Sequence, residues 1–266
     1  MKRFILVLLV MACLHTNAQN YADLLTDDKQ ADVLLNKIRL HNATGEDSIA
    51  LQKIAIAVHD NGQRQDEQQH DYRKSLQNID KAITIFEALG DTLNTAFNMK
   101  YKGHLLVRLN KIPAAKTVIR AAIDLYRSKN TGAGIASSQF DLARIFEFEN
   151  KPDSAIYYAN AARTYWQQQE NNLQTIVINN LMLYQHLQLN QTEKAEAVYH
   201  ESESLLKKQA PHWQPLLDYY FTAMLLFRQI NDISSASHYR ELYIGKIEAL
   251  RKEGINAKSY YETFAQ

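Results

Sequence analysis

Cysteine, glycine and proline are all scarce in this chain. Of its 266 residues, 8 are glycine, 4 are proline and 1 is cysteine. Sandwiches and barrels built from short strands need many turn residues, so this scarcity argues against them and favours helices over most of the length. The cysteine, Cys13, lies near the start of the chain, so the residues that follow it cannot form an internal disulfide bond. The composition therefore predicts an all-α protein without disulfide bonds.

A surplus of positive charge is also missing. Lysine and arginine together number 30, aspartate and glutamate 29, and the formal net charge is +1. A protein that neutralises the phosphate backbone of a nucleic acid needs a basic surplus on its surface. Nucleic acid is therefore not expected as a partner.

The start of the chain has the anatomy of a secretory signal. Lys2 and Arg3 form a charged beginning, residues 4–12 an apolar segment, and residues 16–18 a cleavage site of small residues. The apolar segment is too short to cross a bilayer, which takes about 20 residues, and no later stretch approaches that length. We therefore expect an exported protein, periplasmic or associated with the cell envelope, with no transmembrane span in its mature part.

A second interpretation of this segment stays open. The sequence VMAC, which ends at Cys13, resembles a bacterial lipobox, in which the cysteine becomes the lipidated first residue of the mature chain. The segment before Cys13 is short for such a signal, and an alternative cleavage site lies just beyond it. Soluble export is therefore favoured, and a lipid anchor at Cys13 is the alternative.

The main pattern in the sequence is an internal repeat with a period of forty residues. Aligning residues 91–130, 131–170 and 171–210 without a gap brings asparagines into one column and alanines into another. A fourth copy begins at Pro211, and the second half of residues 51–90 fits as well. The two columns contain Asn110, Asn150, Asn190 and Asn231, and Ala115, Ala155, Ala195 and Ala236. Self-similarity at such a period is typical of helical repeat proteins.

Each copy divides at its asparagine into two helical patterns. Apolar residues recur at steps of three and four from Ala115 to Tyr126, which is one face of an α-helix. Asparagine tolerates the left-handed conformation that ends a helix, and Pro113 and Pro152 suit the first turn of the next one. The alanine that follows is small enough for two helices to approach closely. Each repeat is therefore predicted to be a tight antiparallel helical hairpin.

These residues resemble the tetratricopeptide repeats (TPRs), in a variant with a period of forty residues and a longer linker between units. Small residues of the family pattern are matched by Gly103, Ala143 and Ala223 in first helices and by Ala115 and Ala122 in a second helix. A departure is asparagine in place of the usual turn glycine. The resemblance implies an exported bacterial TPR-like protein, an all-α, right-handed helical-hairpin solenoid of about four to five repeats.

The repeat and its flanks predict four segments. Residues 1–19 form the signal peptide, residues 20–46 an N-terminal capping helix or an eroded repeat, residues 47–252 the TPR-like array, and residues 253–266 a C-terminal capping tail. Within the array, the polar stretch at residues 59–71 either breaks its helix or makes an exposed extension of it.

Motifs that carry chemistry are missing. The sequence has no HExxH, no GxSxG, no phosphate-loop lysine and no dinucleotide fingerprint. No two histidines have the i, i+4 spacing that shared metal coordination on one helix needs. The glycine-rich stretch TGAGIASS at residues 131–138 follows a helix and not a strand, so it is interpreted as an inter-repeat linker and not as a phosphate cradle. We therefore predict a protein without enzymatic activity that uses no cofactor and no metal.

In TPR proteins the first helices line a concave groove that holds peptides or partner helices, and the resemblance implies the same surface here. Transferring its columns gives the residues Lys100, Tyr101, His104, Arg108, Phe140, Asp141, Arg144, Glu147, Asn180, Tyr184, Gln188, Phe221 and Arg228. They mix rings, amides and charges of both signs, as a recognition surface does, although any exposed helix face has a similar composition. The family's carboxylate clamp is not expected, because His104 and Asp141 stand where it needs asparagine.

These observations predict a scaffold of the bacterial cell envelope that binds a protein or peptide on the concave face of the solenoid. An alternative is the sensory input module of a signalling system, since exported repeat arrays of this kind also resemble the ectodomains of bacterial sensor kinases. Those proteins carry a membrane span and an output domain after the repeats. The sequence up to Gln266 contains neither, so this alternative needs a truncated chain or a separate partner in the membrane.

Overall fold

The fold was analysed in a computed structural model that describes residues 28–209 and 211–257. Those residues form eleven α-helices and contain no strand, which confirms the predicted all-α class. The predicted signal peptide and Cys13 lie outside the described residues, as do residues 258–266 of the predicted C-terminal tail. None of the described helices has the length and apolar character that crossing a membrane requires.

The chain divides into two compact units, the first ending at Thr131 and the second beginning at Gly132. The helices of the first unit are α1 (Asp28–Arg39), α2 (Gly45–Glu67), α3 (Tyr72–Ala88), α4 (Thr92–Arg108) and α5 (Ile112–Ser128). Those of the second unit are α6 (Gly132–Phe148), α7 (Pro152–Gln168), α8 (Asn172–Gln188), α9 (Thr192–Lys208), α10 (Trp213–Gln229) and α11 (Ile233–Lys252).

Neighbouring helices pair as hairpins within each unit. In the first unit α2 packs on α3 and α4 on α5, while α1 lies against α2 and α3. In the second unit the pairs are α6 with α7, α8 with α9, and α10 with α11, and α8 also packs against α7 and α10. The described chain therefore contains five hairpins, in agreement with the predicted four to five repeats. We call α2, α4, α6, α8 and α10 the first helices.

Each predicted turn asparagine ends a helix in the left-handed conformation. At the end of α4, Asn110 has φ of 57°. Its N–H donates to the carbonyl of Val107 at 2.9 Å, and the N–H of Lys111 donates to the carbonyl of Leu106 at 2.8 Å. These two bonds form a Schellman motif, which satisfies carbonyls that the helix end would otherwise leave unpaired. The same left-handed conformation occurs at Gly90, Asn130, Asn150, Glu170, Asn190 and Asn231.

Two junctions between hairpins contain the same left-handed turn residue as the junctions within hairpins. Asn130 and Glu170 stand between hairpins and have φ of 52° and 51°. From α3 to α10 every helix is 17 residues long. The forty-residue period is therefore made of two similar units of a helix and a short turn.

Two expectations about local structure are corrected. The stretch at residues 131–138 is not a linker, because α6 begins at Gly132 and the chain is helical from there to Phe148. The polar stretch at residues 59–71 does not break its helix, because α2 continues to Glu67. Nor is that extension simply exposed, since Asp66 is 6% exposed.

Small residues lie where the two helices of a hairpin come closest. Ala115 and Ala155, each near the start of a second helix, have no exposed surface. In α4, a Cβ atom added at Gly103 would come within 2.7 Å of Cδ1 of Ile119 on α5. The hairpin of α4 and α5 therefore depends on glycine at this position, since a well-packed core has no space for an added methyl group.

We expect Gly103→Ala to lower the free energy of unfolding by about 1–3 kcal/mol, because the added methyl group overpacks the contact with Ile119. The matched control is Gly245→Ala on α11, where an added Cβ meets nothing within 4 Å. That change should be neutral or stabilise by up to about 1 kcal/mol, since alanine is the better helix former. Urea unfolding of both variants checks this, and equal effects would contradict the close approach at Gly103.

Candidate functional site

The predicted groove residues all lie on first helices. In the first unit, α4 contains Lys100, Tyr101, His104 and Arg108. In the second unit, α6 contains Phe140, Asp141, Arg144 and Glu147, α8 contains Asn180, Tyr184 and Gln188, and α10 contains Phe221 and Arg228. The four exposed members are Arg108, Arg144, Gln188 and Arg228, and most of the others are half-buried. We describe one surface in each unit.

The α2–α4 surface of the first unit consists of His59, Asp66, Phe97, Tyr101 and Arg108. Nδ1 of His59 lies 2.8 Å from Oδ1 of Asn98, which connects α2 to α4. The His59 ring is 5.4 Å from that of Phe97 and 5.8 Å from that of Tyr101, measured between centroids. Phe97 remains 41% exposed. The exposed ring of Phe97 on α4 is therefore held against His59 of α2, which in turn contacts the ring of Tyr101.

A buried carboxylate organises the other end of the α2–α4 surface. The hydroxyl of Tyr101 donates to Oδ2 of Asp66 at 2.7 Å, and Nε of Arg108 lies 3.6 Å from Oδ1 of Asp66. The guanidinium of Arg108 also lies 5.2 Å from the centroid of the Tyr72 ring, a cation–π arrangement. Burial raises the pKa of Tyr101, and the hydrogen bond to Asp66 raises it further. Tyr101 therefore keeps its proton and holds a fixed position as a donor.

His59, Asp66 and Phe97 were not among the predicted groove residues. The repeat pattern does not identify His59 and Asp66, because the first half of residues 51–90 matches the repeat poorly. Phe97 lies on α4, in a column outside those of the predicted groove. The structure explains the mismatch, since α2 has 23 residues instead of the usual 17. The sequence signal for Asp66 is an acidic residue within a helical stretch. That signal does not identify its partner, because Tyr101 is 35 residues away.

The α6–α8–α10 surface of the second unit consists of Arg144, Glu147, Asn180, Gln185 and Asp218. Nε2 of Gln185 on α8 donates to Oε1 of Glu147 on α6 at 3.0 Å. Burial raises the pKa of Glu147, the positive charge of Arg144 lowers it, and the negative charge of Asp218 on α10 raises it again, so that the net direction is upward. The carboxylate of Glu147 on α6 therefore accepts a hydrogen bond from a neutral donor on α8, the amide of Gln185, and is affected by the charge of Asp218 on α10.

Asn180 does not point to solvent as the predicted groove required. It is 6% exposed, and its Nδ2 donates to the carbonyl of Pro215 at 2.8 Å. Its Oδ1 is buried and accepts no hydrogen bond. Pro215 lies in the first turn of α10, one turn before Asp218. The amide of Asn180 is therefore held between α8 and α10, in the part of the surface that contains Asp218.

Other polar groups of the second unit join helices within the packing. Glu201 on α9 accepts from Arg163 and, at 2.6 Å, from Gln167, both on α7. It also accepts from Nδ2 of Asn179 on α8 at 3.0 Å. His186 is 6% exposed, and burial lowers its pKa, as suits a neutral structural histidine. These contacts stabilise the stacking of α7, α8 and α9.

A tyrosine cluster joins the last two hairpins of the second unit. The hydroxyls of Tyr199 and Tyr239 are 2.7 Å apart, and those of Tyr219 and Tyr239 are 3.4 Å apart. Burial is the main cause that raises the pKa of Tyr199 and of Tyr219. Among the described residues no three histidine, cysteine, aspartate or glutamate side chains form a group that could hold a metal ion.

We expect Glu147→Gln to stabilise the protein at pH 7 and to lose this advantage as the pH falls to 4. The folded-state pKa of Glu147 is raised above its ordinary value of 4.5. The stability linked to its proton is therefore fully present below that value and is lost as the pH rises through the folded-state pKa. Glutamine removes the charge and keeps an acceptor for Gln185.

Chemical denaturation at pH 4 and pH 7 measures this effect. The matched control is Glu248→Gln, an exposed glutamate on α11, which should stay within about 0.5 kcal/mol of the wild type at both pH values. A Glu147→Gln variant that is less stable than the wild type at pH 7 would show that the carboxylate is well accommodated in its charged form.

No protein-family model matches the sequence, and no curated protein matches it either. Solved structures do. BtubC (BKLC) from P. vanneervenii has a TM-score of 0.68 at 15% identity, over 83% of this chain and 89% of that one. PilF of Pseudomonas aeruginosa has a TM-score of 0.54 at 14% identity, over 92% of this chain and 98% of that one.

Two further solved structures give the same result. Aspartyl phosphate phosphatase F from Bacillus subtilis has a TM-score of 0.67 at 13% identity, over 82% of this chain and 55% of that one. The nearly identical TPR-like repeats of a kinesin light chain from Podosopora anserina have a TM-score of 0.62 at 8% identity, over 76% of this chain and 98% of that one. At such low identity the likeness shows the fold alone, and it confirms that this chain has the all-α, TPR-like helical-hairpin fold.

Proposed function

We propose that this chain is a non-enzymatic scaffold that binds a protein or peptide partner on the faces of its first helices. The observation that carries the proposal is the placement of Phe97. This ring is 41% exposed, and it packs in a tilted contact against the His59 ring of the neighbouring helix α2. An aromatic ring fixed at the surface loses little conformational entropy on binding, which makes it a suitable anchor for a partner.

Charged groups on the same surface are also fixed before any partner arrives. The contacts of Arg108 with Asp66 and with the Tyr72 ring restrict a side chain that is 52% exposed. Arginine held in this way keeps donors available at the rim of an interface. A rim of fixed charge around an aromatic centre is the usual anatomy of a protein–protein interface.

We expect Phe97→Ala and Tyr184→Ala to weaken partner recovery, each by about 1–2 kcal/mol, a five- to thirtyfold loss of affinity, because each removes a ring from a first-helix face. The mature chain, immobilised, would capture its partner from its own cell envelope, and recovery would be compared by quantitative mass spectrometry. Arg144→Glu reverses the charge of an exposed side chain on the first helix α6 and should also reduce recovery.

The matched control for these variants is Tyr157→Ala on α7. Tyr157 is 70% exposed and lies on a second helix, so its loss should leave recovery unchanged. If Phe97→Ala and Tyr184→Ala recover as much partner as the wild type does, the binding site is not on the first-helix faces. If Tyr157→Ala alone reduces recovery, the site lies on the second helices.

We also propose that the scaffold acts in the bacterial cell envelope, because the first residues have the charged start, apolar segment and cleavage site of an export signal. Mass spectrometry of the protein purified from its own cells is the test. We expect a mature chain that begins near Asn20. A mass that corresponds to a lipidated Cys13 would establish the anchored alternative, and an intact Met1 would contradict export.

A further inference from the structure

A small cleft lies at one edge of the first unit, between the start of α3 and the turn that joins α4 to α5. Its volume is about 340 Å³, and its lining consists of Arg73, Leu76, Gln77, Leu109 and Lys111. The first three of these residues belong to the first two turns of α3, and the last two to the turn after α4. The cleft contains no member of the α2–α4 surface.

The charged part of this lining is entirely basic. Arg73 and Lys111 are exposed, and within the described part of the chain neither side chain makes an ion pair or a hydrogen bond. Two other clefts of the first unit are lined by acidic residues as well. One contains Asp47, whose carboxylate lies 2.7 Å from Nζ of Lys37, and the other contains Asp32. Two positive charges beside one cleft, with no carboxylate in its lining, favour an anionic ligand.

The backbone that carries the two cations is held in place on both sides of the cleft. The N–H of Lys111 donates to the carbonyl of Leu106 at 2.8 Å, in the Schellman motif that ends α4. At the start of α3, Oδ1 of Asp71 accepts from the N–H of Lys74 at 3.1 Å, and its Oδ2 lies 3.3 Å from Nζ of the same residue. The carboxylate nearest to Arg73 in the sequence is therefore engaged by Lys74.

The rest of the lining is apolar apart from one amide. Leu76 is half-buried and packs against a core cluster of α3 and α4 that includes Ile79 and Leu105. Leu109 is half-buried as well, and the amide of Gln77 adds hydrogen-bond donors. A matching ligand has anionic oxygen atoms with an apolar group beside them. The cleft is near the lower end of the size range of ligand sites, about 300–1,000 Å³, so the ligand, or the part of it that enters, is small.

We propose that this cleft binds a carboxylate that carries an aliphatic side chain. The guanidinium of Arg73 and the ammonium of Lys111 donate to the carboxylate oxygens, and the aliphatic group lies against Leu76 and Leu109. Arginine presents parallel N–H donors that match a carboxylate, and removal of the aliphatic group from water adds hydrophobic stabilisation.

Two sources supply this chemistry. One is the end of a peptide chain whose last residue is apolar, and the other is a small free acid such as an N-acylated amino acid. The cleft lies outside the first-helix faces, so the inference goes beyond the proposed scaffold function and does not depend on it.

The experiment uses Nα-acetyl-L-leucine as the probe. Its comparisons are Nα-acetyl-L-leucinamide, which lacks the charge, and Nα-acetylglycine, which lacks the aliphatic group. Each is titrated into the ¹⁵N-labelled mature chain, and the backbone amide signal of Lys111 and the side-chain amide signals of Gln77 are followed by NMR. We expect saturable shifts with the probe and about tenfold weaker binding of each comparison, because each lacks one of the two contacts.

Variants of the lining test the assignment. Arg73→Gln and Lys111→Gln should each weaken binding of Nα-acetyl-L-leucine about tenfold, because each removes one charged donor. The matched control is Arg120→Gln, an exposed arginine of α5 that does not line the cleft, and it should bind as the wild type does. Thermal unfolding of each variant shows whether it is folded.

Four outcomes would each overturn the inference. They are no saturable shift with the probe, equal binding of the probe and its amide, unchanged binding by folded Arg73→Gln and Lys111→Gln, and an equal loss in Arg120→Gln, which would mean that binding follows net charge alone.

A peptide with the sequence Ala-Ala-Leu, acetylated at its start and with a free carboxylate at its end, distinguishes the two sources. Tighter binding of this peptide than of Nα-acetyl-L-leucine would assign the ligand to the end of a peptide chain, and equal or weaker binding would assign it to a small free acid. Either result supports a carboxylate site in this cleft.

Discussion

The close approach of the two helices in each hairpin is the constraint on which the other features of the structure depend. At Gly103 the backbone of α4 lies so near to Ile119 on α5 that an added methyl group would have to displace it. Ala115 and Ala155 occupy similar positions near the starts of second helices and have no exposed surface. Small residues at these points allow the apolar faces of two helices to pack along their length. The left-handed turns then fix the register in which the two helices of a hairpin pack.

Packing within a hairpin buries one side of each first helix. Polar, charged or exposed aromatic side chains can occupy other sides. In the first unit the free side of α4 contributes an exposed ring, and α4 contains Lys100, Lys102, His104 and Arg108 but no acidic residue. In the second unit the corresponding side of α6 contributes the carboxylate of Glu147, whose charged form burial disfavours. The first helices of the two units therefore differ in the charged groups that they contain.

Local properties of the chain could be predicted well. The turns at Asn110 and Asn150 are predictable because asparagine tolerates positive φ, and both residues adopt it. The prediction of a linker at residues 131–138 is wrong: glycine-rich sequences suggest a linker, whereas this stretch is helical and packs against α7. Asn180 shares a column with Lys100 and Phe140, which are half-buried, yet α10 covers Asn180. A column of the repeat fixes the direction of a side chain but does not fix what the next helix places over it.

The sequence alone determined the all-α class, the forty-residue hairpin and the turns within hairpins at Asn110, Asn150, Asn190 and Asn231, because helix periodicity and backbone preference act within a few residues. The tertiary structure decided which polar groups meet. Tyr101 donates a hydrogen bond to Asp66, which lies 35 residues away in the sequence, and Gln185 donates one to Glu147, which lies 38 residues away. Such pairs depend on the register of neighbouring helices and on the burial that results. A repeat pattern leaves both open, because residues in equivalent columns have different neighbours in each copy.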